Sequence, residues 1–247
     1  KCSMFNYKNI LVVVFDKNKS NKALKEVQEI LSENNTEYKI YEEKNDANSY
    51  IGHDLVLVIG GDGSMLSAAK LFSHINCPFL GVNLGKVGFM ADLDSENLAT
   101  ELPEVLSGNN LVEDKEAISC SYNGKKYTAF NEIVLHTQKS YKLMHFELKI
   151  EGNLIYRKRA DGLIISTSNG STAYSLSAGG PILSPDVNGL VITSLNPLSL
   201  SARPLIVPSS SKIEVSLIKT PNNLNSFIII DGNQEIQIEN NAKDFTV

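Results

Sequence analysis

A single carboxylate, Asp62, stands between glycines in the stretch Gly60-Gly61-Asp62-Gly63-Ser64. Glycines on both sides allow the chain to turn with positive φ or to lie close against a ligand. The β-branched-rich run from Asp54 to Ile59 before it reads as a buried strand, and Met65 to Phe72 after it reads as a helix. Gly63 and Ser64 therefore fall near a helix N-terminus, where backbone N–H groups and the helix dipole favour an anion. An acid in a phosphate-binding turn repels the phosphate unless it acts on a hydroxyl beside it, or on a metal. The same residues also fit a tight turn in which Asp62 caps the following helix. The named phosphate loops do not fit. There is no GxxxxGK[ST], and Leu66 occupies the place of the third glycine in the dinucleotide fingerprint.

Two further stretches carry chemistry. Residues 161–180 (DGLIISTSNGSTAYSLSAGG) run from a strand into a segment dense in hydroxyls and glycines. A plain polar loop of a β-domain is one reading. An ordered loop of this length and composition more often lines a ligand site. Small residues and backbone groups can lie against a flat base, hydroxyls can pair with ribose or amide groups, and Tyr174 offers a ring face and an O–H. The third stretch is Asn131-Glu132, after the alternating run Tyr127 to Phe130. An amide beside a carboxylate can address the two hydroxyls of a ribose or an amino group. A surface strand end accounts for the pair equally well.

The elements that must position these residues follow from the hydrophobic pattern. Strands are expected at Ile10 to Phe15, Glu37 to Tyr41 and Pro78 to Val82, the last leading into the loop from Asn83 to Gly88. A helix capped by Ser20 places Leu24, Val27 and Leu31 on one face, and another beginning at Ser95 does so with Leu98, Leu102, Val105 and Leu106. Alternating strands and helices imply a parallel, Rossmann-like α/β domain over residues 1–107. The pattern then changes to short strands with turn residues between them. Asn123-Gly124 joins Ile118 to Tyr122 with Lys126 to Phe130 as a hairpin, and Glu151-Gly152-Asn153 turns Phe146 to Ile150 into Leu154 to Arg159. Further strands are expected at Leu163 to Thr167, Leu190 to Ser194, Leu205 to Val207, Ile213 to Ile218, Phe227 to Ile230 and Glu235 to Ile238. An all-β sandwich over 108–240 results, with 241–247 as the start of a segment returning to the first domain.

Composition bounds the function. The 247 residues contain 42% hydrophobic side chains, enough for a core, and the net charge is −5. No Lys/Arg run stands out, which argues against nucleic acid or an anionic membrane as partner. Cys2, Cys77 and Cys120 are scattered, with no CxxC, which fits a reducing cytoplasm and argues against structural zinc. No apolar run approaches 18 residues, so no membrane span or signal peptide is expected.

The motifs together resemble the NAD kinase family, most closely its bacterial, ATP-using members: GGDGS at 60–64, NLGKVGF at 83–89, NEIVLH at 131–136, DGLIISTSNGSTAYSLSAGGPI at 161–182, SLSARP at 199–204 and DGN at 231–233. The resemblance covers about residues 55–240. GGDG alone is shared with lipid kinases and phosphofructokinases, whereas the long 161–182 segment is specific. The resemblance implies transfer of the γ-phosphoryl group of ATP to the 2′-hydroxyl of the adenosine ribose of NAD, giving NADP. Asp62 matches the family's proton acceptor, with Gly63 beside it on the dinucleotide. Asn131, Glu132, Asp161 and the run Thr172, Ala173, Tyr174, Ser175, Leu176 and Ser177 match NAD-contacting positions. Lys142 and Arg159 match polar or basic contacts, and Asn233 stands where glutamine is frequent. The family implies a divalent metal, Mg²⁺, held by the ATP phosphates and water, since no carboxylate cluster has metal-ligand spacing. It also implies homo-oligomers, tetramers or dimers, in which a neighbouring subunit contributes to the NAD site. The chain departs from the family at Ser168-Asn169, where Pro-Thr is usual and a looser loop is expected, and at Leu198, where histidine is common. Its end at Val247 comes soon after the DGN turn, ahead of the segment with which relatives usually continue. A different GGDG kinase, acting on a lipid or sugar, and a catalytically silent NAD(P)-binding module remain as alternatives.

Overall fold

The structure is a computed structural model and describes residues 7–85, 90–108, 110–137, 143–199, 201–218, 226–238 and 244–247. It divides into two compact units, Lys1–Glu113 and Asp114–Val247.

The first unit runs β1 (Asn9–Val14), α1 (Lys17–Glu33), β2 (Glu37–Ile40), β3 (Leu55–Ile59), α2 (Asp62–Phe72), β4 (Phe79–Asn83), β5 (Leu93–Asp94) and α3 (Leu98–Leu106). The strands form one parallel sheet in the order β2-β1-β3-β4-β5. β1 and β3 are apolar at nearly every position because both of their faces are covered. Ile10, Val12, Leu55 and Leu57 pack with Val27, Leu31, Leu98 and Leu102. Leu11, Val13, Val56 and Val58 pack on the other side with Met65, Ala68, Phe72, Tyr41 and Tyr50. That second layer holds α2, and with it Asp62, against the sheet.

Two helix starts differ from the sequence reading. Asp16, not Ser20, caps α1, its Oδ1 accepting from the N–H groups of Asn18 and Lys19 at 3.1 and 3.2 Å. Ser20 is buried inside the helix instead. α3 begins at Leu98 rather than Ser95, because Leu93–Asp94 first pairs with β4 and the Ser95 N–H bonds to the Asn83 carbonyl.

The second unit contains β6 (Ile118–Tyr122), β7 (Lys125–Ala129), β8 (Glu132–Thr137), β9 (Met144–Ile150), β10 (Asn153–Ala160), β11 (Gly162–Ser166), the one-turn helix α4 (Tyr174–Ser177), β12 (Gly189–Leu195), β13 (Leu205–Pro208), β14 (Ile213–Leu217), β15 (Ser226–Ile230), β16 (Gln234–Ile238) and β17 (Asp244–Thr246). Two six-stranded antiparallel sheets, β10-β9-β14-β17-β6-β7 and β13-β12-β11-β8-β15-β16, share one core. Phe146, Leu148, Val215 and Phe245 of one sheet meet Ile133, Leu135, Ile165 and Ile228 of the other, as in a β-sandwich. Both expected hairpin turns have consecutive left-handed residues, Asn123 and Gly124 at φ 48° and 72° and Glu151 and Gly152 at 50° and 75°. That conformation matches the twist of the flanking strands.

β8 was not among the expected strands, yet it is central to its sheet, between β11 and β15. At the end of the sequence, Asp244–Thr246 pairs with β14 and β6 inside the sandwich, and residues 241–243 lie outside the described residues. Between those two strands its backbone N–H and C=O groups gain ladder partners on both sides.

Candidate active site

Asp62 is the first residue of α2, at the carboxyl end of β3, the edge where open parallel sheets bind their ligands. Gly61, not Asp62, occupies the cap position, and no side chain caps the helix. The Asp62 carboxylate instead reaches the loop after β4, its Oδ1 accepting from the Met90 N–H at 3.0 Å. The turn-and-cap reading of this acid is therefore replaced by a tie between two loops of the edge. Gly60 is buried under the first helical turn, where an added Cβ would lie 2.3 Å from Ser64 Oγ. Around Gly61 and Gly63 an added Cβ would meet no atom of the described residues within 4 Å. Residues 86–89 of the NLGKVGF motif lie outside the described residues. A shallow cavity of about 560 Å³ in the same unit, lined by Lys8, Asn34, Glu37 and Pro103 among others, lies at the amino ends of β1 and β2, the opposite edge.

In the second unit, Glu132 opens β8 and Asn131 directly precedes it. Glu132 is buried rather than on a surface strand end. Their backbone is held from two directions. From one side the Asp231 carboxylate accepts the N–H groups of Phe130 (3.1 Å), Asn131 (2.8 Å) and Glu132 (3.1 Å), while its own N–H donates to the Glu132 carbonyl at 3.0 Å. Asp231 sits at φ 46°, a left-handed position that Asp tolerates better than most residues. Of the DGN turn, the family resemblance points to Asn233 rather than Asp231. Asn233 lies exposed in that turn, its N–H bonded to Ile230 O at 3.2 Å. The signal for Asp231 was the Asp-Gly pair closing an apolar strand.

From the other side comes the segment after β11. The Thr167 N–H donates to Asn131 O at 2.9 Å, and Thr167 Oγ1 donates to Phe130 O at 2.7 Å and accepts from the Gly170 N–H at 3.0 Å. Asn169 Nδ2 donates to Asn131 Oδ1 at 2.8 Å. The looser loop expected at Ser168-Asn169 is thus laced to the start of β8. Gly170 is required there, since a Cβ would fall 2.0 Å from Asn131 O. Gly170→Ala is expected to displace the loop from the start of β8 and to lower the thermal midpoint by several degrees, because the Cβ cannot be placed without moving the backbone of one segment or the other. A wild-type midpoint in thermal unfolding contradicts this.

The run 172–177 divides by exposure. Tyr174 and Leu176 are each 43% exposed and Ser177 is exposed, while Thr172 and Ala173 are half-buried. Ser175 turns inward, its hydroxyl 3.3 Å from Thr193 Oγ1, so it anchors α4 to β12. Ser171 does the same for the 3-10 turn Asn169–Thr172, donating to Ser168 O at 2.6 Å and accepting from the Leu183 N–H at 3.0 Å.

Not every expected residue joins this group. In the β8–β11 register Ser166 faces Glu132 and Gly162 faces His136, which puts Asp161 more than four residues, about 13 Å or more, from Glu132 along the strand. Asp161 is buried. Its Oδ2 accepts from Asn196 Nδ2 at 2.9 Å, and its Oδ1 has no partner among the described residues. Arg159 is exposed at the same end, its carbonyl accepting from the Leu198 N–H at 2.9 Å. Lys142 lies outside the described residues. Among the described residues, no three His, Cys, Asp or Glu side chains converge as a metal cage, and no helix is long and apolar enough to cross a membrane. Burial pushes the Cys77 and Cys120 thiols up to about 11, with Asp54 adding to the effect at Cys77. Neither is a nucleophile near pH 7.

The chain is a two-unit protein with an acid-bearing glycine turn on a parallel sheet and a hydroxyl-rich loop on a β-sandwich. Residues 4–110 match the ATP-NAD kinase N-terminal domain and residues 130–244 the ATP-NAD kinase C-terminal domain, and the chain belongs to this family. It is 41% identical over 185 residues to the NAD kinase of Methanothermobacter thermautotrophicus, covering 75% of this chain and 65% of the relative. It is 46% identical over 167 residues to that of Erwinia tasmaniensis, covering 66% and 57%. The matched part is thus less than two thirds of these relatives' length. Among solved structures, yeast NADH kinase complexed with NADH superposes with a TM-score of 0.84 at 26% identity, over 98% of this chain and 78% of the other. An NAD kinase from Archaeoglobus fulgidus shares the fold with a TM-score of 0.75 at 24% identity, over 97% and 88%.

Proposed function

We propose that this chain transfers the γ-phosphoryl group of ATP to the 2′-hydroxyl of the adenosine ribose of NAD, giving NADP. The observation that carries the reading is Asp62 at the head of α2, held by the Met90 N–H in a glycine turn, in a chain with both domains of the ATP-NAD kinase family. Phosphoryl transfer depends mainly on positioning and charge stabilisation. An aspartate is a weak base for an alcohol. Asp62 accordingly orients the 2′-hydroxyl and takes its proton late in the transfer. Asn131, Glu132 and the exposed face of 172–177 bind NAD. A Mg²⁺ ion would be carried by the ATP phosphates and water, as the family resemblance implies, and would supply charge neutralisation on the transferring phosphate. The distance of Asp161 from Glu132 within one chain supports a homo-oligomer in which a neighbouring copy completes the NAD site. A cytoplasmic location agrees with the scattered thiols.

A coupled assay decides the reading: ATP plus NAD, with NADP detected by an NADP-specific dehydrogenase, then polyphosphate in place of ATP. Formation of NADP is expected, and none at millimolar substrates overturns the proposal. In the same assay Tyr174→Ala is expected to raise KM for NAD more than it lowers kcat, because its half-exposed ring packs on the dinucleotide. An unchanged KM removes the ring from the site.

A further inference from the structure

Thr167 is fully buried, and its hydroxyl both donates and accepts. It donates to Phe130 O at 2.7 Å, with Asn131 O next at 3.3 Å, and it accepts from the Gly170 N–H at 3.0 Å. A carbonyl only accepts and a backbone N–H only donates, so these directions have no alternative. The hydroxyl thus joins the residues before β8 to the 3-10 turn Asn169–Thr172. The sheet itself does not need this joint. Glu132 to His136 pair with Ser166 to Gly162 in the β8–β11 ladder, and Asp231 holds the N–H groups of Phe130, Asn131 and Glu132. What the hydroxyl adds is the placement of the turn, which leads directly into the half-buried Thr172 and Ala173 and the exposed Tyr174.

We propose that Thr167 is a positioning residue for NAD binding: its hydroxyl sets the turn at Gly170 against the start of β8, so that Asn131 and Glu132 on one side and Thr172 to Ser177 on the other meet one dinucleotide together. This inference rests on the NAD-binding reading above. Without the hydroxyl the buried Gly170 N–H loses its acceptor, and it regains one when the turn swings out toward water. Binding must then draw the turn back. A site that is competent in about one tenth of the molecules binds with about one tenth of the affinity.

The test compares T167S, which keeps the hydroxyl and drops the methyl, with T167A, which drops both. Both are made in the full chain and titrated with NAD by calorimetry below their thermal midpoints. T167A is expected to bind NAD about tenfold more weakly than wild type, and T167S within about threefold. In the coupled assay, KM for NAD rises by about the same factor in T167A, while KM for ATP and kcat stay within about threefold. A purely structural role lowers the thermal midpoint of T167A and leaves the NAD affinity of the folded protein unchanged. A packing role for the methyl weakens T167S as much as T167A. Either result overturns the proposal. Should T167A not fold, T167C takes its place, since a thiol is a weaker partner to both the carbonyl and the N–H. T167C binding NAD more weakly than T167S supports the assignment, and T167C binding as tightly or more tightly overturns it. Because binding is measured directly, a wild-type chain that binds NAD without phosphorylating it removes the kinase reading and leaves this comparison intact. A wild-type chain that does not bind NAD removes both.

Discussion

Asp62→Asn is expected to bind NAD within several-fold of the wild type while its kcat falls by about 10²–10⁴-fold, the usual range for a positioned proton acceptor. The amide keeps one oxygen to accept the Met90 N–H, so the tie to the loop after β4 survives. The two flanking glycines are unchanged. What is lost is the oxygen that accepts a proton from a hydroxyl as its charge develops. A loss in kcat with KM unchanged identifies a group that acts in the transition state. Steady-state kinetics and NAD calorimetry on the same preparation separate the two effects. Turnover within tenfold of wild type removes Asp62 from proton transfer, and an equal loss of affinity and turnover makes it a binding residue instead.

Asp231→Gly is expected to destabilise the second unit by about 3 kcal/mol and to raise KM for NAD at least tenfold. Glycine is chosen because the residue sits at φ 46°, where alanine would add backbone strain of its own. The substitution leaves three N–H groups, those of Phe130, Asn131 and Glu132, without their acceptor. Each orphaned buried donor costs roughly 1–3 kcal/mol, partly recovered where water enters. In a chain of this size about 3 kcal/mol corresponds to a thermal midpoint about 6–12 °C lower. Asp231→Asn keeps one acceptor oxygen but turns its amide N–H₂ toward a backbone donor, so it should fall between glycine and wild type. A glycine variant that melts within 2 °C of wild type with an unchanged KM shows that the clamp does not hold Asn131 and Glu132.

Several features depend on neighbours that the local sequence does not reveal. Glu132 looks in the sequence like the end of a hairpin, because Tyr127 to Phe130 alternates and the run after it is uniformly apolar. In the structure that run is β8, covered on both faces and flanked by β11 and β15, which is why it does not alternate. Ser175 looks like one hydroxyl among many. Its alternation with Tyr174 and Leu176 on a single turn sends it inward to Thr193, and the ring of Tyr174 outward. A three-residue strand such as β17 carries too little pattern to reveal its partners, and it is defined by the gap it fills between β14 and β6.

The sequence by itself determined the two kinds of domain, the strand–turn–helix unit around Asp62, the hairpin turns, and the residue types able to handle a dinucleotide and its phosphates. These are local matters, set by periodicity, glycine and side-chain chemistry. Only the tertiary structure decided that Asp231 holds three consecutive amides a hundred residues away, that the Asn169 amide meets that of Asn131, and that Asp161 lies at the far end of the strand from Glu132. Those relations depend on strand register and on which buried donor finds which acceptor, and both are settled by packing between segments distant in the chain.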